Sequence, residues 1–507
     1  MQEKNAKPFS PVVKLVVSLF SEVKSPVEYS HQSNTINDFK RQPLLINPLS
    51  FNGPCLVKGD VNGDGLEDIF AGGGSGQQGG IFLQQKNGTF IKKEQPAFAA
   101  DKLSEDADAI IFDANGDGFK DLYVVSGGYH NYPPDDALLQ DRLYLNDGKG
   151  NFTKAAADAL PAMHVSKSCV RVSDINGDGF PDLFVGGRVI PGRYPETPQS
   201  YLLINDGKGH FSDQTNAICP SIQKIGMVTD AAWIDVNSDH KNDLVIVGEW
   251  MPVSVFLFSN GKLVNKTTDY FDKPYSGWWN TLQAGDFNHD GKPDLVIGNL
   301  GLNTQCKVSD TEPAEMYYKD FDENGSVDPV LCFYIQGKSY PYVTRDELLD
   351  QISLMRTRFT DYKAYADVTI TDVFTKDELK DVHHLQANYL KTAYFESGAD
   401  GKFHEKTLPL PAQYSPVYAI NILDVDHDGN EDILLAGNIN HARLRFGKYD
   451  ANYGLLLKGD GKGNFTYISQ QQSGFKLRGD VRSIVSVNNT LLFGINQQPL
   501  KAYKPNR

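Results

Sequence analysis

Short apolar runs separated by acidic or glycine-rich turns fill most of the chain. Runs such as AIIF before Asp113 and LYVVSGG after Asp121 are too short for helices, and each such pair brackets one turn. Roughly twenty to thirty residues later a second pair usually follows, as in LYLNDGKGNF, where Asn-Asp-Gly signals a tight hairpin. Two hairpins in succession predict one four-stranded antiparallel sheet.

These four-stranded units recur about every 50–60 residues, a period typical of propeller blades. We count eight units; a seven-bladed ring is the alternative, because the sixth unit has no recognisable inner hairpin. The last unit ends after a third strand, and LFSEVKS near the N-terminus resembles outermost strands such as NFTKAAA. We therefore expect residues 1–50 to supply a closing outer strand. The predicted fold class is an all-β β-propeller of four-stranded blades over residues 51–507.

A small helical insertion is predicted within the sixth unit, at residues 344–385. Its apolar positions follow the spacing of one helix face: Leu348, Ile352, Met355, Phe359 and Tyr362. The segment from Thr375 to Glu378 reads as the capping box of a second short helix. The interpretation is a helical pair packed on the rim, and the alternative is a lid or a partner-docking element.

One acidic phrase, D-x-[DN]-x-[DN]-G-x-x-D, occurs seven times between the apolar runs. Oxygen side chains at positions 1, 3, 5 and 9, with a carbonyl at position 7, suit a hard cation that takes six to eight oxygen ligands. Glycine at position 6 permits the turn around the ion. Repetition in one register predicts calcium as the cofactor, up to seven ions. The predicted side-chain ligands, four per loop, are Asp60, Asn62, Asp64, Asp68, Asp113, Asn115, Asp117, Asp121, Asp174, Asn176, Asp178, Asp182, Asp235, Asn237, Asp239, Asp243, Asp286, Asn288, Asp290, Asp294, Asp320, Asp322, Asn324, Asp328, Asp424, Asp426, Asp428 and Asp432.

The charge of the chain agrees with metal binding. The net charge is −15, and the loops hold 22 aspartates, so seven calcium ions would leave about −1. An acidic face for a basic partner is the alternative, and the absence of a basic cluster argues against nucleic acid. The fourth loop has His240 where the other loops have glycine, so we expect this site to be the weakest or empty.

The cysteines and the N-terminal segment exclude further classes of protein. Five scattered cysteines without a CxxC pair exclude a disulfide framework and a zinc site. The longest apolar stretch, Val12 to Phe20, is too short to span a membrane. The start, MQEKNAKPFS, contains no secretory signal peptide, so we expect a mature fragment or an excised domain.

The strand–DxNxDGxxD–strand–GG pattern resembles FG-GAP (VCBS) repeats, the calcium-loop blades of the integrin α-subunit head, from about Phe51 to Tyr503. Stretches such as QPLLINPLSFNGPCLVKGDVNGDG, VGEWMPV and SGWWN are similar to the C-terminal half of large Bacteroidetes surface proteins, which also carry an ASPIC/UnbV segment that we do not find here. The resemblance implies an extracytoplasmic protein, at the cell surface or in the periplasm. It also implies calcium loops on one face and ligand-binding loops on the other.

The longer and more varied loops belong to the face opposite the acidic turns, where we expect the ligand. They carry the candidate ligand-binding residues Arg188, Glu249, Trp250 and Trp279. Aromatic rings beside a few polar groups suit a glycan or a protein ligand, although tryptophan packing between blades is the alternative.

Three hypotheses of function stay open on the sequence alone. The first is a non-enzymatic, calcium-stabilised binding or adhesion module that recognises glycan or protein at a bacterial cell surface. The second is a propeller-type polysaccharide lyase or sugar dehydratase, and the third is a purely structural domain of a larger surface protein. The sequence contains no G-x-S-x-G or HExxH motif, so no catalytic residue is assigned.

Overall fold

The structure, a computed structural model, describes residues 17–34 and 36–506. These residues form eight antiparallel sheets, seven of four strands and one of five. The expected all-β propeller with eight four-stranded units is thereby confirmed. The first 16 residues of the N-terminal segment lie outside the described residues, and so does most of the apolar stretch from Val12.

The chain enters through β1 (Phe20–Val23) and then builds four sheets in succession. In each sheet the four strands lie side by side in chain order. The strands are β2 (Leu56–Gly59), β3 (Asp68–Ala71), β4 (Gly80–Gln84) and β5 (Phe90–Lys93); β6 (Glu105–Phe112), β7 (Asp121–Gly127), β8 (Arg142–Asn146) and β9 (Phe152–Lys154); β10 (Ser166–Ser173), β11 (Asp182–Val189), β12 (Tyr201–Asn205) and β13 (Phe211–Asp213); β14 (Met227–Ile234), β15 (Asp243–Pro252), β16 (Ser254–Ser259) and β17 (Lys262–Asn265). A fifth strand, β18 (Ser276–Trp278), pairs with β15.

The next sheet is interrupted by another complete sheet. It begins with β19 (Thr281–Gly285) and β20 (Asp294–Gly298). An inserted sheet follows, with β21 (Ala314–Lys319), β22 (Asp328–Ile335), β23 (Lys338–Pro341) and β24 (His383–Ala387) in the order β23-β22-β21-β24. Only then do β25 (Ala393–Ser397) and β26 (Phe403–Lys406) pair with β20. The hairpin AYFESGADGKF therefore belongs to the same sheet as β19, which ends more than a hundred residues earlier in the chain.

Two more sheets complete the molecule. One consists of β27 (Val417–Leu423), β28 (Asp432–Gly437), β29 (Leu455–Gly459) and β30 (Phe465–Ile468). The other contains β31 (Val481–Val487), β32 (Thr490–Ile495) and β33 (Lys501–Pro505), with β1 paired to β33 as its outer strand. The first strands of seven sheets contact one another in chain order, and β31 contacts β2, which closes a ring.

The ring therefore has seven blades, numbered here one to seven in chain order, and the inserted sheet is the eighth unit. The inserted sheet leaves blade five between its second and third strands and contacts blade four through β24. Both counts made from the sequence describe part of this arrangement: eight is the number of units, and seven is the number of ring positions. The sixth unit has its inner hairpin, β21 and β22, but this hairpin lies outside the ring.

Helices are short throughout the described residues. They are α1 (Asp38–Arg41), α2 (Pro96–Ala100), α3 (Thr215–Ile218), α4 (Thr267–Tyr270), α5 (Arg345–Gln351), α6 (Met355–Arg358), α7 (Ile370–Val373) and α8 (Gln470–Ser473), with 3₁₀ turns at Ala137–Leu139, Pro220–Ile222, Lys363–Tyr365 and Leu410–Gln413. The helices α5 to α7 all lie between β23 and β24 of the inserted sheet.

The continuous helix expected from Leu348 to Tyr362 is wrong. The chain ends α5 at Gln351 and restarts at Met355, so the apolar residues reach one buried cluster by turning rather than by one helix face. Tyr362 is 67% exposed. The expected capping box at Thr375 forms both of its hydrogen bonds with Glu378, at 2.6 and 3.2 Å, but turns follow it instead of a helix. Glu378 is also held by an ion pair with Arg358, which fixes this segment by tertiary contact.

An N-terminal strap, defined here as residues 36–55, crosses the face of the ring from which the inserted sheet projects. The Gln42 amide donates to the carbonyls of Tyr194 and Val327, both at 3.0 Å, and so joins blade three to the inserted sheet. Leu45 and Leu49 pack in the buried cluster that also contains residues of the inserted sheet. The strap thus closes one end of the ring, here called the strap end, where it also contacts the acidic loop of the inserted sheet. The acidic loops of ring blades one to six occupy the other end, the acidic end.

Candidate metal-binding loops and axial cavity

The seven acidic loops occupy equivalent positions in the fold. Each joins the first and second strands of a sheet, in ring blades one to six and in the inserted sheet. The carboxylate at position 1 accepts the backbone N–H of position 6 in all seven loops, at 2.8–3.0 Å. One local hydrogen-bond pattern therefore sets the shape of every loop.

Two residues of each loop have left-handed backbone conformations. At position 6 the φ angles run from 81° to 88° for the glycines, and His240 adopts the same turn at 64°. Position 4 is also left-handed, with glycine in the first three loops and with Ser238, His289, Glu323 and His427 in the others. The left-handed turn at position 4 was not predicted from the sequence, although the glycines of the first three loops signal it. A side chain at positive φ is strained relative to glycine, so the last four loops carry this strain.

The aspartate at position 9 is the buried anchor of each loop, with no exposed surface in any of the seven. One carboxylate oxygen accepts the N–H of position 2, at 2.8–3.3 Å. In six sheets the second carboxylate oxygen of this aspartate accepts a backbone N–H from the third strand or its end, at 2.8 Å. In the inserted sheet the Gln351 amide of α5 replaces that N–H, at 2.7 Å. This aspartate therefore fastens the loop to the sheet.

Burial of these anchors without a positive partner changes their acidity. Burial raises the pKa of the carboxyl to about 6 in five loops and to about 7 at Asp328, and it raises the pKa of Asp432 as well. At Asp68 the charges of Asp64 and Asp60 add to the rise in pKa, and N–H hydrogen bonds partly offset it. Each loop is thus an oxygen-rich cluster whose negative charge favours a cation.

In two loops the carboxylates already converge. Asp320, Asp322 and Asp328 place one oxygen each within 4.8 Å of one another, and so do the corresponding residues of the seventh loop. Both are loops with aspartate at position 3. In the seventh loop the Lys458 ammonium contacts Asp426 and lies 3.0 Å from Asp428. An all-oxygen donor set of this kind fits Ca²⁺ or Mg²⁺ rather than a softer metal.

Asparagines at the ends of third strands hold the loops of neighbouring blades. The Asn146 amide donates to the carbonyl of Val61 in the loop of blade one, at 2.8 Å, and Asn205 donates to Ala114 in the loop of blade two, at 2.9 Å. From the sequence, both asparagines were predicted only as turn residues. The repeated phrase LND or IND before GKG was the available signal.

At the strap end, three of the four predicted ligand-binding residues come together. Arg188 and Glu249 form an ion pair at 2.6 Å. The Tyr194 hydroxyl donates to the other oxygen of Glu249 at 2.6 Å, and the Trp250 indole N–H donates to that hydroxyl at 2.8 Å. Trp250 is 4% exposed and has a φ of 61°, which is rare for a bulky side chain. Arg188 and Glu249 line an axial cavity of about 190 Å³.

Trp279 does not join this group. It is fully buried between blades four and five, where its indole N–H donates to the carbonyl of Tyr275 at 3.1 Å and its ring stacks on Tyr389. Its neighbour Trp278 lines the cavity instead and packs edge-on against Trp250, with ring centroids 5.3 Å apart. Successive residues of an extended chain point to opposite sides, so only one of Trp278 and Trp279 can face the cavity. The repeat pattern in the sequence does not show which of the two it is.

These features define a class of protein: a β-propeller whose strands are linked by repeated acidic loops. A family model described as an FG-GAP-like repeat matches residues 60–124, 113–185 and 235–297. The chain therefore contains FG-GAP-like repeats in these residues.

Similar proteins agree with this assignment over parts of the chain. A T-cell immunomodulatory protein homolog of Plasmodium falciparum is 28% identical over 262 residues, 47% of this chain and 32% of that protein. Mouse integrin alpha-IIb is 27% identical over 201 residues, 34% of this chain and 18% of the integrin. The chain thus spans a third or less of the length of these relatives. FG-GAP repeats of the integrin kind are typical of extracellular adhesion or binding modules.

Solved structures resemble the chain over most of its length. The V. cholerae biofilm matrix protein Bap1 gives a TM-score of 0.37 at 12% identity, covering 95% of this chain and 91% of that one. The Dos1 propeller gives a TM-score of 0.35 at 10% identity, covering 91% and 95%. Among the described residues, the helices are all too short or too polar to cross a membrane.

Proposed function

We propose that the acidic loops bind calcium and that the chain is a calcium-stabilised binding module. The ligands in each loop are the side chains at positions 1, 3, 5 and 9 and the carbonyl at position 7. Seven loops give room for up to seven ions. Bound calcium supplies positive charge to each loop, and the side chains gather around it.

The observation that supports this proposal best is the buried aspartate at position 9. In all seven loops it is fully buried, and burial raises its pKa. A calcium ion offsets the charge of such a group, as well as that of the carboxylates around it. The net charge of −15 is opposite in sign and similar in size to the charge of +14 that seven calcium ions carry.

The module works outside the cytoplasm, at a cell surface or in the periplasm, and recognises a protein or a glycan. The partial likeness to integrin alpha-IIb supports this role. Millimolar calcium outside cells suits loops of modest affinity, with dissociation constants of roughly 10⁻⁴–10⁻³ M, as in extracellular modules.

Thermal unfolding tests the calcium proposal. Excess chelator is expected to lower the melting temperature by more than about 10 °C relative to millimolar calcium, because ligands that bind only the folded state stabilise it. Magnesium at the same concentration controls for ionic strength and is expected to restore less. An identical melting curve in calcium and in chelator would refute the proposal.

A further inference from the structure

The axial cavity lies at the centre of the ring and is built by every blade. The first strands of all seven blades contribute side chains to its wall, and the strap contributes Asn47 and Asn52 at one end. A volume of about 190 Å³ accommodates roughly a dozen water-sized groups. The cavity is therefore large enough for one small molecule and too small for a peptide segment.

Two residues that line this cavity carry buried donors. Arg188 uses one terminal nitrogen for Glu249, and its other, Nη1, has no hydrogen-bond partner among the described residues. The indole N–H of Trp278 is likewise unpartnered within the described part of the chain, although the residue is only 3% exposed. Buried donors without acceptors are costly, by about 1–3 kcal/mol each, and point to an oxygen-bearing ligand.

The basic groups on the wall, including Lys167 and Arg482, each have an ion-pair partner. Arg171 contacts Asp230 and lies 2.7 Å from Asp108, and Arg188 is paired with Glu249. The Arg482 guanidinium stacks 4.1 Å from the ring centre of Tyr418. A ligand therefore meets paired charges, hydroxyls, amides and aromatic surface, which favours a neutral molecule rich in hydroxyl groups over an ion.

Access is from the acidic end. On β10 the Lys167 side chain, near the strap, is fully buried, whereas the Arg171 side chain is 32% exposed. On β19 Thr281 is buried and Gln283 is exposed. Exposure thus rises along the first strands toward the acidic loops, while the strap and its buried contacts close the other end.

We propose that this cavity binds a single pyranose, such as the terminal sugar of a glycan, with Arg188 and Trp278 donating to its oxygens. A hexose has about the dozen non-hydrogen atoms for which the cavity has room. The strained backbone of Trp250 holds Glu249 and Trp278 at the wall, as expected at a binding site. This inference rests on the proposed function as a binding module and names its ligand.

Saturation-transfer NMR and titration calorimetry test the proposal on the whole chain in millimolar calcium. The probes are glucose, galactose, mannose, fucose and N-acetylglucosamine, with glycerol and acetate as non-sugar controls. The expected result is saturable binding of at least one sugar and none of glycerol or acetate. Failure of all five sugars to bind overturns the proposal, and so does equal binding of acetate.

A pair of adjacent tryptophans provides matched variants. Trp278→Phe keeps the ring and removes the unpartnered donor, so it is expected to weaken sugar binding at least about fivefold. Trp279→Phe removes a donor that is already used inside the protein and is expected to leave the affinity within about twofold. Equal effects of the two changes overturn the proposal.

A second variant tests the same proposal in case Trp278→Phe does not fold. Arg188→Lys retains the charge opposite Glu249 and loses the second donor, and the same weakening is expected. Unchanged affinity in this variant overturns the proposal. Calcium-dependent melting is measured in parallel, so loss of the sugar site alone leaves the calcium-stabilised fold intact.

Discussion

The two ends of the ring are built in different ways. At the acidic end the contact that shapes each loop is local and repeated: the Asp68 carboxylate accepts the N–H of Val61, seven residues away, and the same contact recurs in every loop. At the strap end the contacts are unique and distant. Gln42 bonds Val327 across 285 residues, and Arg482 bonds the Phe51 carbonyl across 431 residues.

This difference decides what stabilises each end. The acidic end depends on a repeated loop that we propose to be completed by calcium, whereas the strap end depends on buried hydrogen bonds and apolar packing. Chelation is therefore expected to weaken the first end most. At the strap end it affects the loop of the inserted sheet, which contains Val327, and leaves the other contacts intact. Variants at each end separate the two kinds of stabilisation.

The largest effect is expected from Asp182→Ala in the third loop. Its carboxylate bonds the N–H groups of Ile175 and Asn205 and also serves as a proposed calcium ligand. Loss of both bonds is expected to reduce the free energy of unfolding by about 2–4 kcal/mol. Asp178→Ala, at an exposed position of the same loop, is the matched control. In excess chelator only Asp182→Ala should remain less stable than the parent protein. If the two variants are equally stable in chelator, the aspartate at position 9 acts only as a metal ligand.

Gln42→Ala tests the strap end. The change removes the partners of the Tyr194 backbone N–H and of the Val327 carbonyl, and a loss of about 2–3 kcal/mol is expected in denaturant unfolding, with or without calcium. Lys40→Ala, exposed on the same strap, should change stability by less than about 0.5 kcal/mol. A Gln42→Ala effect that disappears in chelator would mean that the two ends are not independent.

The strap end also contains a carboxyl group whose protonation is coupled to folding. Glu105, at the strap end of β6, is 6% exposed, and burial, with the nearby charges of Asp106 and Asp38, raises its pKa from 4.5 to about 8. Between these pH values the folded chain keeps a proton that the unfolded chain has released, so the free energy of unfolding falls as the pH rises.

Glu105→Gln removes this proton linkage. In saturating calcium the variant is expected to be more stable than the parent above neutral pH, by on the order of 1–3 kcal/mol, and to lose the parent's decline with pH. Denaturant unfolding across the pH range measures both. Glu94→Gln, at an exposed position, should keep the parental slope. The same slope in Glu105→Gln would assign the linkage to another group.

The smallest difference in stability is expected between variants in two loops of the acidic end. Asp239→Ala is expected to cost less than Asp290→Ala, by about 1 kcal/mol or less, because His240 occupies a left-handed position that glycine fills in the other loop. Melting temperatures in calcium measure the difference. Equal losses would mean that His240 does not weaken its site.

The sequence predicts the local, repeated contacts of the molecule but not the distant, unique ones. The acidic loops, the hairpins and the eight units were readable, because each depends on residues close together in the chain. The inserted sheet was not recognised as lying outside the ring, since its strands have the same local pattern as a blade. The separation of Trp278 from Trp279, one facing the cavity and the other the core, depends on strand register that no local pattern shows.

Long-wavelength anomalous diffraction from crystals grown in millimolar calcium tests the central claim most directly. We expect anomalous peaks inside the acidic loops, among the side-chain oxygens of positions 1, 3, 5 and 9, with the first and fifth loops occupied more fully than the loop of His240. Absence of an anomalous peak from every one of the loops at this calcium concentration would contradict the claim that calcium holds the acidic end together.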